Sequence, residues 1–253
     1  MKFLRKLRIF NGNTLKLLAA LFMLIDHMGL MLFPKLLWLR YIGRLSMPLF
    51  AFMIAEGCRY TKNKQRHFLL LFALGVACQT VYSIVDPETV YLGILLTFSF
   101  STLIIYAMQY AKRCFYSKES KQIEKLASAG LVLLLIALTY LFCYFVEVDY
   151  GFWGVMMPVF ASIFDFHRIP APDKLKKLDC IPLRVLCMLV AEIMLIISLP
   201  KLAWIQFPAL FAFPLLLLYN GEKGKANLKY FFYIFYPLHL AVLQGVAFLL
   251  YMA

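Results

Sequence analysis

The sequence predicts an all-α membrane protein: a polytopic transmembrane helix bundle of about nine spans, with its N-terminus in the cytosol. Three observations carry this. Hydrophobic residues make up 63% of the 253 positions and charged residues 15%, with a mean hydropathy of +0.79; a soluble domain does not need so much apolar material. The apolar residues fall in long runs without period-two alternation, which selects helices. Lys and Arg concentrate in alternate connections, as the positive-inside rule requires of a chain that crosses a membrane repeatedly.

A hydrocarbon core of about 30 Å takes about 20 residues of helix. The expected spans are 14–33, 41–60, 67–85, 90–111, 126–146, 151–166, 183–199, 202–219 and 230–252. The first follows a basic stretch, as a signal peptide would. It is too long for one, carries Asp26 and His27, and lacks a small-residue cleavage site, so it reads as a span. The second opens on Arg40-Tyr41-Ile42-Gly43-Arg44, and the third begins at His67. The fourth follows an acidic connection and the fifth a basic one. The sixth is short enough to be interfacial at one end. Leu199-Pro200-Lys201 separates the seventh from the eighth; read as a re-entrant turn, it makes the count even. The ninth carries Pro237.

In this scheme the N-terminus and connections 59–66, 112–125, 168–184 and 223–229 share one side and hold 21 of the 26 basic residues. The other side holds three, Lys35, Arg40 and Lys201, while Lys16 and Arg44 fall inside spans. The basic side is cytosolic, which places the chain in the plasma (cytoplasmic) membrane with its C-terminus outside. The formal charge of +13 then reflects orientation and attraction to anionic membrane lipid rather than nucleic acid. Residues 1–13 either lie on the inner membrane surface or form a disordered basic tail, and residues 1–253 read as a single integral membrane domain. The six cysteines lack metal or disulfide spacing. No Gly-rich nucleotide loop, serine elbow or His/Cys metal cluster is present, which argues against phosphate-loop chemistry and gives no metal site.

Ionisable residues at membrane depth carry the functional reading, because their desolvation needs a reason. His27 and His239 sit inside apolar segments at opposite ends of the chain and suggest a buried acid/base site. Lys16 precedes His27 by eleven residues; on one helix the two return to within about 20° of the same face, about 16 Å apart along the axis. That fits a long donor with its anionic head at Lys16, or a lysine snorkelling to the interface. Asp26 points about 100° away from His27, toward another helix or toward Arg44. Arg44 lies about one turn into the membrane and needs an anionic partner, since a guanidinium does not deprotonate. Arg40 reads as an interface anchor, and Glu56 with Arg59 as a local pair three residues apart. Pro237 frees a helix carbonyl beside His239, as a polar cavity would need. Asp149, in an outer turn with Tyr150, is either solvated or binds a cationic acceptor or Arg44. His67 and His167 flank connections.

These residues fall in blocks with a family likeness. Leu24-Ile25-Asp26-His27-Met28-Gly29, Ile42-Gly43-Arg44-Leu45-Ser46-Met47-Pro48-Leu49-Phe50-Ala51-Phe52 with Glu56-Gly57, and Lys229-Tyr230-Phe231-Phe232-Tyr233-Ile234-Phe235-Tyr236-Pro237-Leu238-His239-Leu240 together resemble the TraX-like family. The Asp149-Tyr150-Gly151 turn fits it as well. The blocks span most of the chain, and the middle matches mainly in hydropathy. The resemblance implies a membrane acyltransferase. The family's named member N-acetylates a conjugative pilin at its amino terminus. The family also looks related to acyltransferase-3 membrane enzymes, which move acyl groups from cytosolic acyl-CoA to extracytoplasmic acceptors. Those carry Arg-x10-His in the first span. Here the spacing is Lys16-x10-His27, which keeps the charge and loses the planar fork.

The expected function is therefore transfer of an acyl group, acetyl first, from acetyl-CoA or another acyl-CoA to an amine or hydroxyl. The expected catalytic residues are His27, Arg44, His239 and Asp26, with Lys16 on the donor side and Asp149, Tyr150 and Glu56 toward the acceptor. The acceptor, be it pilin, glycan, lipid or small molecule, stays open, and no metal is called for. The rivals are a proton-coupled transporter or lipid-binding protein, in which His27, Asp26, Arg44 and Glu56 form a relay, and a structural membrane partner whose polar residues join helices. Internal repeats would favour the transporter, and none is found.

Overall fold

A computed structural model describes residues 8–85 and 91–252. Among them the regular elements are all helical, in the order α1 Gly12–Met31, α2 Leu37–Gly43, α3 Ser46–Tyr60, α4 Lys64–Val85, α5 Ile94–Tyr116, α6 Gln122–Phe145, α7 Gly151–Ala161, α8 Asp173–Lys176, α9 Ile181–Ser198, α10 Ala203–Gln206, a 3-10 turn Phe207–Phe211, α11 Ala212–Leu217 and α12 Lys229–Met252. Two isolated bridges, Phe10 with Tyr219 and Leu92 with Val148, are the sole β pairings among the described residues. Five helices (α1, α5, α6, α9 and α12) are long and apolar enough to cross a membrane. The chain is thus built as a membrane protein.

The helices differ from the expected spans in instructive places. The second expected span is two helices, α2 and α3, separated at Arg44 and Leu45. Pro48 explains part of this: it has no N–H to close a helical turn onto the Arg44 carbonyl, so it sits in the first turn of a new helix. The sixth is an 11-residue helix. The eighth is two short α-helices around a 3-10 turn, where Pro208 and Pro214 interrupt the run.

The described residues fall into two compact units. The first takes in the described parts of Met1–Met53, Ala77–Thr89 and Glu192–Ala253. Its spine is α1, packed against α2 and α12. Asn11 caps α1 by accepting from the Thr14 amide at 3.0 Å. The next exposed helix amides donate across the chain, Gly12 to the Glu222 carbonyl and Asn13 to the Lys223 carbonyl, at 2.7 and 3.0 Å. The start of α1 is thereby clasped by residues 219–226, and its free N–H groups are used internally. At the other end the chain turns through Pro34 and returns as α2. Small residues let the two helices approach: Gly29 faces the Leu39 side chain, and Gly43 lies on Asp26. Ser46 then fastens α3 by donating to the Ala19 carbonyl at 2.8 Å.

The second unit takes in Ile54–Val76 and the described part of Val90–Ala191. Its centre is α5, packed against α6 and α7. Cys58, Ile104, Ile105, Val155, Met156 and Val159 form a buried apolar cluster there. The buried hydroxyls of α5 are satisfied on carbonyls: Ser99 on Leu95, Thr102 on Ser99, and Ser101 on Val155 of α7. That is the condition for polar groups in a water-free interior.

Candidate functional site

The two intramembrane histidines meet. His27, on α1, and His239, on α12, place Nδ1 and Nε2 respectively 3.1 Å apart, with ring centroids at 5.1 Å. The helix break expected at Pro237 does not open; α12 runs through it, with Pro237 inside. His239 is buried, stacked on Phe235 with planes 9° apart, and its Nδ1 is 2.9 Å from the Phe235 carbonyl.

This chain of contacts assigns protons. A carbonyl can only accept, so in the neutral pair His239 Nδ1 carries the hydrogen and its Nε2 is a lone pair. His27 Nδ1 therefore donates to His239. The same tautomer leaves His27 Nε2 with a lone pair, the kind of atom a general base or nucleophile uses. The His27 ring also interacts with the backbone of Met23, one turn earlier on α1. The two rings are thus distinguished by their contacts: His239 accepts and His27 donates.

Beside His27, Asp26 is held by two arginines. Arg40 donates to Asp26 Oδ2 at 2.8 Å and to the Asp26 backbone carbonyl at 3.2 Å, and Arg44 Nε lies 3.7 Å from Oδ1. Of the anions considered for Arg44, Asp26 is the one within ion-pair distance, while the reading of Arg40 as an interface anchor is corrected. The turn 32–36 folds α2 back along α1 and brings Arg40 to Asp26, something a straight span cannot do. Lys16 is half-buried on α1, eleven residues before His27.

A further buried pair was missed. Glu192, on α9, is fully enclosed and accepts a hydrogen bond from Gln206 Nε2 at 2.9 Å. Arg44 acts on its carboxylate electrostatically. The signal was available: Glu192 is the sole charged residue between Arg184 and Lys201, a cost of the kind that singled out His27.

The remaining candidates belong to the second unit. Asp149 is tied through its backbone, its N–H to the Leu92 carbonyl and its carbonyl to the Thr97 hydroxyl. Tyr150 is left-handed, with φ 60°, and starts α7. Glu56 is buried against Arg184, which corrects the expected local pair with Arg59. Arg59 reaches Asp165 at 2.8 Å and Asp179 at 2.6 Å instead. Lys112 donates to the carbonyls of Ser162, Ile163 and Asp165 at 2.7–3.0 Å, and Arg184 Nε donates to the Ala161 carbonyl. Three cations and three carboxylates thus bind the C-terminal end of α7 and the segment after it, where a helix leaves carbonyls without partners. Sequence reading put Arg59, Lys112 and Arg184 among exposed connections because it sees spacing along the chain, not partners across it.

The profile of the family described as TraX protein matches residues 11–247. The chain belongs to the TraX family. That match takes in both units, the histidine pair and the Asp26–arginine cluster. The chain is 26% identical over 242 residues, covering 92% of itself and 94% of the relative, to a protein of Dichelobacter nodosus named as a probable fimbrial assembly protein FimC, serogroup H1. Over 94 residues, 37% of this chain and 36% of the relative, it is 35% identical to the uncharacterized protein RP591 of Rickettsia prowazekii (strain Madrid E). No solved structure matches the chain significantly.

Proposed function

We propose that this TraX-family chain is a membrane acyltransferase that moves an acyl group, in the first case acetyl, from cytosolic acyl-CoA to an amine or hydroxyl at or beyond the membrane. The observation that carries the reading is the histidine pair: its tautomers leave His27 Nε2 as a base inside an apolar helix. That nitrogen takes the acceptor's proton as the acceptor attacks the thioester carbon. The Arg44 guanidinium stabilises the oxyanion of the tetrahedral intermediate. The C–S bond then breaks, and the proton passes from His27 to the departing thiolate. Lys16, on the same helix, attracts the phosphates of the donor. The fimbrial assembly relative suggests an acceptor in cell-envelope assembly.

The proposal includes the topology that such a transfer needs: nine crossings, an inner-membrane location and a cytosolic N-terminus. A C-terminal reporter that proves cytosolic overturns the nine crossings. The chemistry is tested by incubating purified protein with labelled acetyl-CoA and cell-envelope extract. Label transferred by the wild type and absent with His27→Ala, at equal amounts of folded protein, is the expected result. Transfer undiminished in His27→Ala overturns the assignment.

A further inference from the structure

The pattern Pro-Lys-Leu-x-Trp occurs twice, as Pro34-Lys35-Leu36-Leu37-Trp38 and as Pro200-Lys201-Leu202-Ala203-Trp204. Helix α2 begins in the first copy and α10 in the second at the same register, on Leu37 and Ala203. Both copies belong to the first unit. There α2 packs on α10 and the 3-10 turn, and the Tyr41 and Trp204 rings meet edge to face at 5.9 Å. With 7 and 4 residues, neither helix by itself can cross a hydrocarbon core that takes about 20.

Both helices are inside out for a wetted surface, where apolar side chains turn inward. Here the polar ones turn inward, Arg40 to Asp26 at 2.8 Å and Gln206 to Glu192 at 2.9 Å. The apolar ones face out. Trp38 and Trp204 are 54% and 53% exposed, and Leu36, Leu202, Phe207 and Phe211 are exposed as well. Lys35 and Lys201, also exposed, put a cation at the start of each copy. Tryptophan favours the zone between hydrocarbon and headgroups, and lysine lays its stem on apolar surface while its ammonium reaches out. Leu30 and Phe33, exposed at the end of α1 and just after it, join this face to a helix long enough to span.

We infer that the two Pro-Lys-Leu-x-Trp turns form one lipid clamp, which seats α2 and α10 in the interfacial zone of a single leaflet. The tryptophans lie just beneath the headgroups, and Lys35 and Lys201 pair with phospholipid phosphates. The partner is the bilayer surface, and the clamp fixes the depth of Arg40, which α2 carries on its inner side. It stands independently of the acyltransferase reading.

The chain has three tryptophans, so Trp153→Phe leaves the two in the turns, and adding Trp204→Phe or Trp38→Phe isolates each. Full-length variants are reconstituted in vesicles of phosphatidylcholine and phosphatidylglycerol, with bromine on the acyl chains either near the headgroup or near the methyl end. Iodide is the aqueous quencher. Each tryptophan is expected to be quenched at least about twofold more by the shallow bromine than by the deep bromine or by iodide. Lys35→Gln with Lys201→Gln should shift quenching toward the deep bromine, since nothing then holds the turns at the phosphates. Iodide quenching that exceeds shallow quenching marks a water-facing surface for a soluble partner and overturns the clamp. Shallow quenching that appears only when the protein is diluted in lipid assigns the face to a second copy and overturns it too. Quenching unchanged by the lysine replacements removes the phosphate contact, and with it the clamp. Trp153→Phe, with both turns intact, decides the matter if a single-tryptophan variant does not fold.

Discussion

Gly43 lies directly on Asp26: a β-carbon added there would sit well inside contact distance of the Asp26 Cα and Cβ. The close approach of α1 and α2 is what lets Arg40 reach the Asp26 carboxylate and carbonyl. Overpacking a tight contact costs about 1–3 kcal/mol. Gly43→Ala is therefore expected to lower thermal stability in detergent and to weaken acyl transfer by displacing the arginines. Gly130, whose added Cβ would meet nothing within 4 Å, supplies the control: Gly130→Ala should leave both measurements unchanged.

The two histidines should differ in the depth of their effects. Removing a general base typically costs about 10²–10⁴ in rate, and that is the expected loss for His27→Ala. His239 touches no reacting atom in the proposed step and acts as a positioning residue. His239→Ala should fall between wild type and His27→Ala. His239→Gln, whose amide can accept from His27 Nδ1, should recover part of the loss. Equal loss in both His239 variants, with folding intact, would count against the tautomer assignment.

The Glu56–Arg184 pair should behave as a buried ion pair does. Breaking one partner strands the other, at about 3–5 kcal/mol, while replacing both with apolar residues is often neutral. Arg184→Met alone is expected to reduce folded yield sharply, and Glu56→Met with Arg184→Met to restore much of it. Fluorescence-detected size exclusion reads both. An additive double variant would show that the two do not interact.

His167 lies outside the expected spans, half-buried, with its ring against Tyr60. Burial and the nearby Arg59 and Arg168 guanidinium groups hold its pKa below the ordinary value of 6.5. The folded chain therefore takes up that proton less readily than the unfolded chain. Its stabilising contribution is complete above pH 6.5 and declines as pH falls below it. The thermal midpoint of the wild type should drop more between pH 7 and 5.5 than that of His167→Gln. An identical slope in the two proteins would remove His167 as the cause.

Much of the architecture was legible because membrane helices announce themselves in hydropathy, and His27, Asp26 and His239 because an ionisable group in lipid is expensive. The break at Arg44–Leu45 was not legible from hydropathy, since both halves are equally apolar. Its markers, Gly43 and Pro48, acquire meaning only once Asp26 is known to lie alongside. Arg40 was misread for a related reason: its distance along the chain from Asp26 hides a short path through the turn at Pro34. Glu192 needed no structure, only the same desolvation argument carried through the seventh expected span. The Arg59, Lys112 and Arg184 network joins positions from 23 to 128 residues apart, and no periodicity reports such pairings.

The histidine pair joins two helices separated by 212 positions, one near the start of the chain and one near its end. The two rings meet only where α1 and α12 pack together. The tautomer that leaves His27 Nε2 its lone pair is therefore a property of the assembled helix pair and of neither helix alone.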